Sequence, residues 1–331
     1  MMAKQLTWGI LGTATIARQS MVPGIIESKT GSIQAVASRN LEKAEAFAKE
    51  FSIPRAYGSY DELLADPSIE AVYIPLPNHL HKEWVIRAAR AKKHVLCEKP
   101  IALNQSELEE MKRVCDEQGV FLLEAFMYRH QTRYAHIKEA IENGAIGELR
   151  GIRSSFSFNN SEALENFRMK KAYGGGSLYD IGVYPLSLAR MIFDEEPEAI
   201  TVHSYSPASH DEVDMTAAGL VEFQNGKFLI FDCGMWAAYR NDAEILGSTG
   251  RITIPNPFTG GSEGYRLFQN GDEQQVDVED WNHYAKQADY FAEVLWGEKS
   301  LSAGVKDSLA NMRLLDRALA SHENRKRMVL L

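Results

Sequence analysis

The chain has 331 residues, is 45% hydrophobic and 24% charged, and carries a formal net charge of −9. That length predicts two domains, each able to bury a sizeable core, and the composition is that of a globular rather than a disordered protein. An acidic balance without a basic cluster argues against nucleic acid as a partner, because binding a polyanion rests on Lys and Arg neutralising phosphates.

Cys97, Cys115 and Cys233 are scattered, form no CxxC pair and leave one thiol over. They read as reduced, packed side chains in a cytoplasmic protein. Met1 to Gln5 lead into an apolar run too short for a signal peptide. No stretch approaches the roughly 18 apolar residues of a membrane span, so no membrane partner is expected.

Leu6 to Leu11 reads as a buried strand. Gly12-Thr13-Ala14-Thr15-Ile16-Ala17 then turns it into a helix, in a relaxed GxAxxA form of the dinucleotide fingerprint. Gly12 supplies the tight turn, Ala14 lets backbone approach a pyrophosphate, and Ala17 permits close helix packing, with the helix N-terminus facing the phosphates. The next strand, Ile33 to Ala37, ends at Ser38-Arg39, and a helix follows from Leu41 to Phe51. A domain selecting NAD ends this strand in an acid that binds the ribose 2′-hydroxyl. A hydroxyl, a guanidinium and Lys43 one turn on make a 2′-phosphate site instead, which favours NADP over NAD.

A helix over Tyr60 to Ala65 leads to the strand Ala71 to Ile74, stopped by Pro75-Leu76-Pro77-Asn78-His79-Leu80-His81. His79-x-His81 has no acidic or cysteine partner at ligand spacing, so no metal is expected. Asn78 and His81 sit on a rim where cofactor contacts are expected. A helix from about Lys82 to Ala91 runs into the strand Val95-Leu96-Cys97-Glu98-Lys99-Pro100. Pro100 cannot donate to a ladder, so Glu98 and Lys99 fall at the carboxyl end of that strand, where open parallel sheets bind ligands. A helix from Ser106 to Gln118 and a strand from Val120 to Leu123 complete the predicted doubly wound sheet.

Beyond Glu124 the pattern changes to a helix over Arg133 to Glu142 and four extended runs: Leu149 to Phe158, Glu198 to Tyr205, Met215 to Phe223 and Lys227 to Trp236. Asn225-Gly226 between the last two is a strong hairpin signal, which makes this second sheet at least partly antiparallel. The predicted fold is therefore α/β, with an N-terminal Rossmann domain over 1–124 and a C-terminal α/β domain over 125–331. Within the second lies Gly174-Gly175-Gly176-Ser177-Leu178-Tyr179-Asp180-Ile181-Gly182-Val183-Tyr184-Pro185. Ser177 and Asp180 resemble a capping box, which would make Asp180 structural. If the helix continues through Pro185, Asp180 and Tyr184 instead share one face at i and i+4. A helix from Asn282 to about Trp296 and another from Val305 to Ser321 read as core packing, although His283 or Tyr284 could edge a substrate pocket.

Together, the Gly12 loop, Ser38-Arg39, Asn78-x-x-His81, Glu98-Lys99-Pro100 and Asp180-x-Gly182-x-Tyr184 resemble the Gfo/Idh/MocA oxidoreductase family in order and spacing. Tyrosine in the last motif position, with Glu124 to His130, is similar to the branch holding NADP-dependent D-xylose dehydrogenases and dimeric dihydrodiol dehydrogenases. Ala14 departs from the usual glycine. The resemblance implies hydride transfer between NADP, or NAD, and a sugar, polyol or trans-dihydrodiol. It makes Lys99 catalytic, Tyr184 the proton-transfer group and Asp180 a substrate-positioning acid. Gly12 to Ala17, Ser38, Arg39, Tyr57, Leu76, Asn78, His81 and Glu98 would contact the cofactor, and the second domain would carry a large, mostly antiparallel open sheet whose face forms dimer contacts. The alternatives are an NAD-linked inositol or inosose dehydrogenase, disfavoured by Arg39, and a catalytically silent NADP-binding sensor, disfavoured by the Lys99 and Tyr184 pair.

Overall fold

The computed structural model describes residues 4–259, 263–279, 281–302 and 304–330. The stretch Met1 to Ala3, read above for a leader, lies outside them. The chain forms two compact units, Met1–His130 with Asn282–Leu309, and Gln131–Trp281 with Ala310–Leu331. The helix after Asn282, placed by its position with the second domain, thus groups with the first unit.

The first unit holds strands β1 (Leu6–Leu11), β2 (Gly31–Ala37), β3 (Arg55–Tyr57), β4 (Ala71–Ile74), β5 (His94–Glu98) and β6 (Leu122–Ala125) in a parallel sheet ordered β3-β2-β1-β4-β5-β6. This is the doubly wound dinucleotide-binding order, with its switch point between β1 and β4. Helices α1 (Val22–Glu27), α2 (Leu41–Phe51), α3 (Tyr60–Ala65), α4 (His81–Arg90) and α5 (Gln105–Gln118) connect the strands. Local chemistry sets their starts: Asn40, Ser59 and Asn104 each accept an amide hydrogen bond as N-cap of α2, α3 and α5. β6 starts two residues later than expected and so includes Glu124.

In the second unit α6 (Thr132–Glu142) precedes β7 (Leu149–Asn159), and α7 (Val183–Phe193) precedes β8 (Ala199–Tyr205), β9 (Thr216–Glu222), β10 (Phe228–Gly234), β11 (Trp236–Gly247), β12 (Gly250–Pro255), β13 (Tyr265–Gln269) and β14 (Asp272–Val276). With β15 (Met328–Val329) they form a sheet ordered β14-β13-β12-β11-β7-β10-β9-β8-β15. Among the described residues of this sheet, only β10 with β7 runs parallel. Asn225 and Gly226 take φ of 57° and 74° in the expected hairpin between β9 and β10. The run read as one strand to Trp236 is two: β10 stops at Gly234, and β11 begins at Trp236 on the other side of β7.

The last helices are α8 (His283–Leu295) and α9 (Val305–Asn324). α8 belongs to the first unit for a plain packing reason. Phe291 lies 4.9 Å from Trp8 and 5.0 Å from Phe121 by ring centroids, and Asp289 Oδ1 accepts the Lys29 and Thr30 amides at 2.9 and 3.0 Å. No described helix is long and apolar enough to cross a membrane.

Candidate active site

The parallel sheet carries its candidate residues on one rim. Gly12 follows β1, Ser38 and Arg39 follow β2, Tyr57 ends β3, Leu76 and Asn78 follow β4, and Glu98 and Lys99 close β5. Gly12 has φ +122°, and a Cβ there would meet Leu76 Cδ2 at 3.2 Å, so only glycine holds this turn. Its amide donates to Ala37 O at 2.9 Å, which ties the loop to the end of β2. The helix beyond opens through a π-helical turn, Ala17–Met21. Such a turn is uncommon and often marks a functional site. Thr13 and Ala14 are half-buried and Thr15 is exposed, with Ile16 half-buried and Ala17 buried beneath them. An open backbone turn at a helix start fits a dinucleotide's phosphates.

Ser38 is buried and its Oγ accepts from the Asn40 amide at 3.3 Å, while Arg39 and Lys43 are exposed. The Arg39 guanidinium lies near the hydroxyl of Tyr60, whose burial raises its pKa while the guanidinium pulls it back. Tyr60 was read only as a helix residue, and it joins Arg39 at this corner. Tyr57 donates its hydroxyl to Asp66 Oδ2 at 2.9 Å, so that hydroxyl is engaged within the fold.

His81 differs from its expected role. It is fully buried, with Nδ1 2.9 Å from Pro100 O and Nε2 2.7 Å from Leu76 O. Burial drives its pKa down to about 4, so the ring is neutral and donates to one carbonyl at a time. Instead of facing a nucleotide it pins the turn after β4 to the turn after β5. Asn78 is also buried, whereas Glu98 and Lys99 are half-buried at the rim. Glu98 Oε1 accepts from Tyr73 Oη at 2.6 Å, and Oε2 accepts the Lys99 amide at 3.3 Å. Tyr284 also lies near Glu98 and is pushed up to about 12, chiefly by burial. The Lys99–Pro100 peptide is cis.

In the second unit Asp180 lies in another π-helical turn, Leu178–Gly182, which runs straight into α7. Pro185 lies just past that π-helical turn, so the helix continues through it although proline supplies no backbone donor. Asp180 and Tyr184 therefore follow one continuous turn. The capping box is not formed: Ser177 makes no cap bond to this helix. Its hydroxyl donates instead to Asp214 Oδ2 at 2.7 Å, and the Leu178 amide donates to the same oxygen at 2.7 Å. Gly176, at φ +112°, is what lets Asp214 approach, since a Cβ there would lie 2.0 Å from Asp214 Oδ1. Asp180 pairs with Arg168, Nε to Oδ2 2.8 Å. Neither Asp214 nor Arg168 has a sequence signal at motif spacing. Tyr184 is buried, its ring 5.7 Å from Phe156 and 5.1 Å from Phe258. Among the described residues no group of three or more His, Cys, Asp or Glu could hold a metal ion.

A doubly wound sheet with this glycine turn defines a dinucleotide-binding oxidoreductase, and comparison with known proteins gives the family. Residues 6–126 match the oxidoreductase family's NAD-binding Rossmann fold, and residues 134–253 match the GFO/IDH/MocA C-terminal domain. The chain is 39% identical to a D-xylose 1-dehydrogenase (NADP(+)) of Haloferax volcanii over 67% of each chain. It is 33% identical to a trans-1,2-dihydrobenzene-1,2-diol dehydrogenase of Xenopus laevis over 82% of this chain and 81% of the relative. Among solved structures, a 3-ketoreductase from Actinomadura kijaniata in complex with NADP and TDP-benzene superposes with a TM-score of 0.90 at 29% identity, covering 96% and 98% of the two chains. The chain belongs to the Gfo/Idh/MocA oxidoreductase family, and it is an NAD(P)-dependent oxidoreductase.

Proposed function

We propose that the protein is an NADP-dependent dehydrogenase or reductase that interconverts a hydroxyl and a carbonyl on a sugar, polyol or trans-dihydrodiol. The observation that carries this reading is the way Lys99 is presented at the sheet's ligand-binding rim, its backbone amide held by Glu98 and the next carbonyl facing His81. The relatives' named substrates support the substrate class, and Ser38-Arg39 in place of an acid supports NADP.

The residues that would hold the dinucleotide are Gly12 to Ala17 at the phosphates, Ser38, Arg39 and Lys43 at the 2′-phosphate, and Leu76, Asn78 and Glu98 nearer the ring. Bound NADP supplies the acceptor for the hydride that leaves the substrate carbon. In the oxidative direction the hydroxyl proton passes to Tyr184 Oη. A free phenol, with a pKa of about 10, is a poor base at neutral pH. The positive charge of Lys99 would stabilise a developing anion on the substrate oxygen and so lower the barrier. Asp180, fixed by Arg168, orients a second hydroxyl. Purified Lys99→Met and Tyr184→Phe should each lose about 100- to 10,000-fold in turnover on a panel of aldoses, inositols and trans-dihydrodiols. NADPH should still bind both. Full turnover in the two variants would sink the assignment.

The same reading makes the protein a homo-oligomer through its C-terminal sheet. Thr201, Leu220, Ile230, Arg153 and Glu244 are register partners and so share one sheet face, on which Leu220 and Ile230 are exposed. Leu220→Lys combined with Ile230→Lys should give monomers in sedimentation velocity. A wild-type protein that is already monomeric would refute it.

A further inference from the structure

Each residue of the turn that carries Lys99 is fastened within the first unit. Tyr73 holds Glu98, Glu98 holds the Lys99 amide, and His81 faces Pro100 O. The fourth fastening is Glu124 Oε1, which accepts the Ile101 amide at 3.1 Å. The proposed chemistry does not use this carboxyl, and it is 7% exposed.

Glu124 lies on β6 directly beside Cys97 of β5 in the strand register. Ser308, at the start of α9, lies near the carboxyl, and Asp307 and Arg129, paired with each other at 2.8 Å, also face it. Burial pushes Glu124 up to about 7, against the pull of Ser308, the Ile101 amide and Arg129, with Asp307 adding to the rise. The Cys97 thiol is held far above its ordinary value by its own burial, so it stays uncharged.

We propose that Glu124 is a positioning residue for Lys99, acting through the Ile101 amide, and that its carboxylate form is the one that holds the catalytic turn. The proposal rests on the reading of Lys99 as catalytic. An ionised carboxylate accepts an amide hydrogen bond roughly twice as strongly as a neutral acceptor. The protonated acid weakens that bond and adds an O–H that needs an acceptor of its own. Ile101 is two residues from Lys99, across Pro100, whose ring fixes φ. A change at the Ile101 amide is therefore passed to Lys99 through a stiff link.

The test uses the full chain labelled with 15N-isoleucine and 13C-lysine. The Ile101 amide and the Lys99 side-chain signals are followed by NMR as pH is varied. In the wild type both should move with one shared midpoint at about 7. In Glu124→Gln, which keeps an acceptor oxygen but cannot ionise, both should stop titrating there. Ser308→Ala should raise the midpoint, since it removes a hydroxyl that favours the anion, and it guards against misfolding of the first variant. A Lys99 signal that stays still while Ile101 titrates would overturn the proposal, as would an unchanged midpoint in Glu124→Gln. Turnover of the aldose panel by Lys99→Met is a separate arm. Activity there removes the catalytic reading of Lys99, whereas the NMR midpoints judge Glu124.

Discussion

Arg39 shows what a single side chain at a strand end can decide. It is exposed, lies near the Tyr60 hydroxyl, and stands where an NAD-selective chain would carry an acid. Hydrogen bonds to charged groups contribute about 1.5–3 kcal/mol. Arg39→Ala should therefore weaken NADPH by roughly 10- to 100-fold and leave NADH nearly unchanged. Fluorescence titration with both nucleotides checks this, and equal losses for the two would remove Arg39 from the 2′-phosphate site. His81 teaches the opposite lesson. Its spacing from Asn78 was legible, but only the fold showed both ring nitrogens turned to backbone carbonyls.

At the scale of an element, the turn bearing Asp180 is built from outside itself. Asp214, in the approach to β9, accepts from the Ser177 hydroxyl and the Leu178 amide and thereby sets the start of the π-helical turn. Asp214→Ala leaves two buried donors without an acceptor, at a cost of about 1–3 kcal/mol. Urea unfolding should show that loss, and turnover should fall while NADPH affinity holds. Asp214→Asn, which keeps an acceptor, should recover part of both, and undiminished turnover in Asp214→Ala would detach this carboxyl from the site. The strands missed from sequence have the same kind of cause. β14 reads Asp272-Glu273-Gln274-Gln275-Val276, polar on both faces, and is specified by its partner β13 rather than by alternation.

For the molecule as a whole, buried ionisable groups set how stability answers to pH. In the first unit burial holds His81 and His130 neutral, with pKa values of about 4 and 3 against an ordinary 6.5. Below pH 6.5 the unfolded chain takes up protons that the folded chain refuses, so these two groups lose stability on acidification. Glu124 acts the other way. Its folded value of about 7 lies above the ordinary 4.5, so between those limits the folded chain keeps a proton that the unfolded chain releases, and acidification stabilises. Burial likewise raises Asp214 of the second unit to about 6, so from pH 6 to 4.5 these two carboxyls offset the two histidines. Glu124→Gln removes one of the two opposing groups and should add a loss of about 1.4 kcal/mol per pH unit on acidification in thermal melts. Parallel pH dependence in wild type and variant would contradict the balance.

By itself the sequence determined the parallel sheet, the glycine turn, the Ser38-Arg39 strand end and the Glu98-Lys99-Pro100 and Asp180-to-Tyr184 motifs. These rest on local rules: the period of apolar residues, the freedom of glycine and the missing donor of proline. Tertiary structure alone decided that α8 packs on Trp8, that Asp214 rather than Asp180 caps the π-helical turn before α7, and that Glu124 and His81 fasten the Lys99 turn. Those contacts join residues distant in the chain. A periodic pattern shows which face of an element is buried, but not which partner buries it.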